Sequence, residues 1–119
     1  MRLAAALLIT LLASTANAMP PQQQAVWEVM QNLAPSYESM QACGREFTAE
    51  LIETMVADVA IQIVTSDADL EIIEDMWREA RRRAYFDFFE LLAELRRNPN
   101  GEECANLELR LVQSLRQGV

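Results

Sequence analysis

Histidine and lysine are both missing from this chain of 119 residues. Their absence excludes a Ser-His-Asp or Cys-His nucleophile, a lysine Schiff base, a phosphate-loop lysine, and any histidine-containing zinc or di-iron site. Glycine occurs three times and proline four. Neither occurs between Arg45 and Asn98, a stretch rich in Leu, Ile, Met, Ala, Glu and Arg. Nothing there interrupts a helix, and most of its residues favour one. Asn100-Gly101 lies between two helical patterns rather than two alternating ones, so a β-hairpin has no support. The composition predicts an all-α fold.

Positive charge is also short: ten arginines face eighteen acidic residues, a formal net charge of −8. Such an excess disfavours nucleic acid and anionic membrane surfaces, keeps the protein soluble, and is compatible with a basic partner.

The chain opens MRLAAALLITLLASTANAM, with one positive charge at Arg2, an apolar run from Leu3 to Leu12, and small residues ending in Ala16-Asn17-Ala18. That is the order of a secretory signal peptide, with cleavage after Ala18. The run is well short of the roughly 20 apolar residues needed to span a bilayer. The expectation is a cleavable signal at residues 1–18 and a single helical domain at residues 19–119, periplasmic or secreted, with no stable membrane anchoring after cleavage.

Cysteine is limited to Cys43 and Cys104. In an oxidising compartment an even pair reads as a disulfide; the two lie too far apart for C-x-x-C, and no histidine can join them at a metal. Closing a loop of about 60 residues would stabilise the fold by roughly 4 kcal/mol in the loop-entropy model.

Five helical segments are legible. Pro20 and Pro21 open the first, with Val26, Met30 and Leu33 at helical spacing beside Trp27; Ala34-Pro35 is expected to end it, since the residue before proline is pushed from helical geometry. A short second helix, residues 35–43, would close on Gly44. A third, capped by Thr48 and reaching about Val64, is apolar over most of its circumference apart from Thr54, Asp58 and Gln62, and is expected to be the central buried element. Ser66 caps a long fourth helix, residues 67–97, with Asp67, Asp69 and Glu71 in its first turn; capping explains these acids better than a calcium loop, whose glycine and later ligands are lacking. At roughly 45 Å if straight, that helix must kink, project or pack on a second copy. A fifth, residues 102–116, follows Asn98-Pro99-Asn100-Gly101 with Cys104, Leu107, Leu111 and Leu115 on one side. The architecture expected is a small bundle of four or five helices stapled by one disulfide.

Four arginines and four aromatic residues crowd into REARRRAYFDFF, residues 78–89. Leu70, Ile73, Trp77, Ala80, Ala84, Phe88, Leu91 and Leu95 make one apolar stripe. Tyr85, Phe86 and Phe89 fall outside it and are expected to be enclosed by other helices, with a client-binding or self-association surface as the alternative. Arg78 pairs by spacing with Glu74, Arg82 with Glu79, and Arg83 with Glu79 and Asp87. Arg81 has no such neighbour. Asp58 is its expected partner in a structural ion pair, and a clamp for a ligand carboxylate is the alternative.

No cofactor is expected. Met30, Met40, Met55 and Met76 lack the clustering of a copper site and read as core filler, and no pair among the carboxylates stands out as a glycosidase pair. The chain reads as a non-catalytic binding protein of adaptor, inhibitor or immunity type, offering Glu71, Asp75, Glu79 and Glu90 to a protein partner. In general layout, an exported helical chain of this size with one disulfide resembles the small periplasmic acid-stress chaperones of the HdeA type. That resemblance implies a holdase whose Tyr85, Phe86 and Phe89 become available as carboxylates protonate. A homodimer formed through the long fourth helix is a third expectation.

Overall fold

Pro21 supplies the preset backbone angle of a helix start, and from it α1 runs over Pro21–Ala42 without a break. The computed structural model describes residues 19–117, so the expected export signal at residues 1–18 lies outside the described residues. The expected stop at Ala34-Pro35 does not occur: Pro35 lies inside α1, while Ala34, Tyr37 and Met40 on either side of it are buried. A proline in a helix interior costs about 3 kcal/mol through its missing N–H and its clash with the preceding turn; burial on both sides outweighs that. The Ser39 hydroxyl donates to the Pro35 carbonyl at 2.8 Å.

The end of α1 is closed at Gly44, whose φ of +71° suits glycine. The Gly44 N–H donates to the Gln41 carbonyl and the Arg45 N–H to that of Met40, the paired bonds of a Schellman motif. Helix α2, Glu46–Ile61, therefore starts earlier than expected, and Arg45 rather than Thr48 stands at its cap. Thr48 is buried, and its hydroxyl donates to Glu108 at 2.6 Å.

Ser66 caps α3, Asp67–Asp87, by accepting from the Asp69 N–H at 3.2 Å. Asp69 reaches back to the Thr65 hydroxyl at 2.7 Å and to the Thr65 N–H at 3.1 Å. Those donors, the hydroxyl first, hold the Asp69 carboxyl below its ordinary pKa.

The long helix expected over residues 67–97 is broken at Phe88, which leaves helical geometry at φ −115° and ψ 24°. Helix α4, Phe89–Arg97, follows the break and buries Leu92 and Leu95. A turn at Asn98–Gly101 leads into α5, Glu102–Gln117. The described residues thus form an all-α bundle of five helices with one disulfide, Cys43–Cys104, at a Cα separation of 5.8 Å.

The central element is α1, not α2: α1 packs against all four other helices. Its first half joins α2 and α3 around Met30, Ala34, Val56, Ile73 and Ala80. Its second half joins α2, α4 and α5 around Met40, Ile52, Leu92, Leu95 and the disulfide. Helix α2 buries only one stripe and leaves Phe47, Leu51 and Ile61 exposed. An apolar wheel measures what a helix could bury, not how many neighbours arrive to cover it.

Candidate functional site

Arg81 projects from the middle of α3 toward α1. Its Nε donates to Glu38 Oε1 at 2.8 Å, and its guanidinium lies 4.6 Å from the centroid of the Tyr37 ring. The expected pair with Asp58 is not formed; Asp58 is exposed, on the outward strip of α2. Glu38 is one of only two acids on α1, set between the buried Tyr37 and Ser39. Nothing in its local spacing marks it as the partner of Arg81, since that choice depends on α1 lying at the centre of the bundle. Tyr37 meets Trp77 edge to face at 5.4 Å, and its hydroxyl accepts from Gln41 Nε2 at 3.1 Å. Burial pushes the Tyr37 pKa above its ordinary value of 10.0; the Gln41 hydrogen bond and the Arg81 charge oppose the rise, and the Glu53 charge adds to it. Arg81 is thus engaged by a carboxylate and a ring at the α1–α3 seam, which leaves less of it for a ligand clamp.

The expected acidic face is partly neutralised by its own helix. Asp75 accepts from Arg78 at 2.8 Å, in place of the expected Glu74. Glu79 accepts from Arg82 Nε and Nη2 at 2.9 and 2.7 Å and from Arg83 Nε at 3.1 Å. These bonds, Arg82 first, lower the Glu79 carboxyl to about 2. Arg83 forms no ion pair with Asp87; it lies 5.3 Å over the Trp27 ring. Glu71 and Glu90 are exposed and form no ion pair among the described residues.

The expectation that Tyr85, Phe86 and Phe89 are enclosed is overturned. Phe86 is 69% exposed, Phe89 54%, Phe88 42% and Tyr85 36%. All four sit where α3 breaks into α4, and among the described residues no helix encloses them. Tyr85 and Phe89 pack edge to face at 5.8 Å, while Arg96 lies 5.6 Å from the Tyr85 ring centroid and Arg82 5.7 Å from that of Phe86. The aromatic bend is therefore rimmed by guanidinium groups.

Two concavities flank α2. On one side, an open groove of about 510 Å³ runs between α1, α2 and α5, lined by Leu33, Met55, Leu107, Leu111 and Leu115. Helix α5 is anchored at its start by the disulfide and the Thr48–Glu108 bond; Arg45 Nε approaches Glu108 only to 3.6 Å. On the other side, a smaller apolar cavity of about 230 Å³ opens between α2 and α3 over Met30 of α1. Trp77 lines it, and its indole Nε1 is buried without a hydrogen-bond partner.

Among the described residues, no group of three or more His, Cys, Asp or Glu side chains could hold a metal ion, and no helix is long and apolar enough to cross a membrane. Comparison with protein-family profiles, curated proteins and solved structures returned no match for this chain.

Proposed function

We infer that this is an exported, non-catalytic binding protein that engages another protein through the aromatic bend at the α3–α4 junction. One observation carries the reading: Phe86, Phe88 and Phe89, with Tyr85, are left exposed side by side while the same helices bury smaller residues. An exposed phenylalanine recovers about 1.5 to 3 kcal/mol when fully buried, and aromatic residues with arginine are the groups that dominate protein interfaces. Glu71 and Glu90, which form no ion pair among the described residues, supply contacts for basic groups on the same partner. Export rests on the signal-like order of residues 1–18, and the disulfide fits an oxidising compartment.

The test is capture of partners by mature oxidised protein from a matched periplasmic or secreted extract, alongside Phe86→Ser/Phe89→Ser, with mass spectrometry of the mature N-terminus for export. One dominant partner at neutral pH that the double variant fails to hold supports the reading. Equal capture by the variant rejects the bend, and a chain still beginning at Met1 rejects export.

The groove beneath α5 favours a second reading, a holdase chaperone. Tyr85, Phe86 and Phe89 already face solvent in the fold, so acid is not required to expose them. Acid gating would have to act on α5, whose contact with α2 includes the carboxylate of Glu108. Many unrelated clients held only in acid would support this version; equal aggregation suppression at neutral pH would reject acid gating.

A further inference from the structure

The cavity between α2 and α3 has the composition of a small-ligand site. Helices α2 and α3 both pack on α1 and only weakly on each other, which leaves a cleft floored by Met30. Its walls are Val56 and Ala60 from α2 and Ile73 and Trp77 from α3. The alanines Ala57 and Ala60 keep the α2 wall low, and the loop after α2 closes one end at Val64. The volume is about 230 Å³; an apolar cavity of about 150 Å³ is enough to take up benzene.

The lining also carries charge of one sign. Glu53 from α2 and Glu74 from α3 are exposed members of it. Neither forms an ion pair among the described residues, because the arginines nearest along α3 are committed elsewhere: Arg78 to Asp75 and Arg81 to Glu38. No arginine lines the cavity. Apolar walls, one indole and two carboxylates without an ion pair, Glu53 also neighbouring the Tyr37 hydroxyl, form the set that takes up an organic ammonium ion, with its hydrocarbon in the cleft and its charge beside the acids and the ring.

We propose that the α2–α3 cleft binds a small apolar ammonium ion, such as a short-chain alkylammonium, with Glu53 and Glu74 holding the charged head and Trp77 in the wall beside it. This goes beyond the protein-binding reading and uses none of the residues of the aromatic bend. An anionic amphiphile of the same length meets two like charges and is rejected. A neutral one gains the apolar contacts alone.

The protein has two tryptophans, so Trp27→Phe leaves Trp77 as the sole fluorescent reporter. Octyltrimethylammonium, titrated below its micelle concentration, is expected to change Trp77 emission saturably, with octyl sulfate bound at least roughly ten-fold more weakly and octanol between them. Glu53→Gln/Glu74→Gln is expected to weaken the cation about ten-fold, roughly three-fold for each carboxylate, and to leave octanol unchanged. Glu71→Gln, an acid outside the cavity, is expected to change nothing, and Ala57→Leu to abolish binding of both probes by filling the cleft. In the wild-type protein, nuclear Overhauser contacts from the trimethylammonium protons to Trp77 and to the Val56 methyl groups provide the same answer without the tryptophan substitution. No saturable response together with no such contacts overturns the proposal. Equal affinity for cation and alcohol overturns the assignment of charge recognition, and binding that survives Ala57→Leu places the probe elsewhere and overturns the site.

Discussion

Arg81 of α3 and Glu38 of α1 are joined at 2.8 Å, with the guanidinium lying over the ring of Tyr37, the residue preceding Glu38. The pair pins the two helices together where the first packed cluster passes into the second. The Glu38 side chain is 13% exposed and that of Arg81 39%, so solvent screens part of the attraction. Arg81→Leu leaves a mostly buried carboxylate without its donor and is expected to cost about 1 to 2 kcal/mol. In a domain of this size that lowers Tm by roughly 5 to 10 °C. Glu38→Gln should lose less, and the double variant less than the sum, a coupling that a double-mutant cycle by thermal melting measures. Additive losses would mean that the two residues do not act together.

Helix α5 depends on the Cys43–Cys104 bond more than any other helix does. Its stripe of Leu107, Leu111 and Leu115 is only half-buried, and Cys104 alone is buried. The bridge spans 61 positions in sequence, and removing such a cross-link costs about 2 to 4 kcal/mol. Reduction, or Cys43→Ala/Cys104→Ala, is expected to lower Tm and to release α5 amides to hydrogen exchange first, while amides of α1 and α3 stay protected. Uniform loss of protection across all five helices would show that α5 is not a separable unit.

Much of this fold is legible from local chemistry. The proline start of α1, the Gly44 closure, the Ser66 cap and the disulfide each follow from residues within a few positions of the feature, or from a cysteine count. The departures are tertiary. Pro35 remains inside α1 because burial on both sides outweighs its local penalty. The break at Phe88 has no glycine or proline to announce it; it allows Leu92 and Leu95 to reach the cluster around the disulfide. That break also exposes the aromatic residues expected in the core. Arg81 was identifiable as an arginine without a local partner, but the choice of Glu38 over Asp58 depends on which helix lies at the centre, and a wheel drawn for each helix alone does not contain that information.

The aromatic bend allows stability and binding to be separated. Phe86 and Phe89 are 69% and 54% exposed, so Phe86→Ser/Phe89→Ser is expected to change folding stability by no more than about 0.5 kcal/mol per site. The same variant should lose partner capture. Light scattering over a concentration series tests the homodimer reading: self-association that the double variant abolishes would assign the bend to a second copy, and a monomer at every concentration would remove that reading. A large drop in Tm would mean instead that the two rings carry structure.

Glu79 sets how the outer face of α3 responds to acid. Arg82 grips its carboxylate with two hydrogen bonds and Arg83 with a third, which lowers its pKa from 4.5 to about 2. A depressed carboxyl pKa contributes stability that is present above the ordinary value and is lost as pH falls through the folded one. The contribution of the pairing should therefore be complete from neutral pH down to about 4.5 and be lost between there and about 2, the carboxylate itself staying ionised in the fold until pH nears 2. The Glu79 side chain is partly exposed to solvent, which screens the pairing, so the clear readout is its own titration rather than Tm. Carbon NMR of the Glu79 carboxyl is expected to give a midpoint near 2, and Arg82→Gln/Arg83→Gln should return it toward the ordinary glutamate range. Tyr37 works in the opposite window: its raised pKa contributes stability that is complete below 10.0 and is lost as pH rises through the folded value. A Glu79 midpoint unmoved by loss of both arginines would show that the three hydrogen bonds do not persist in solution. The outer face of α3 would then carry more free negative charge toward a partner than its present geometry allows.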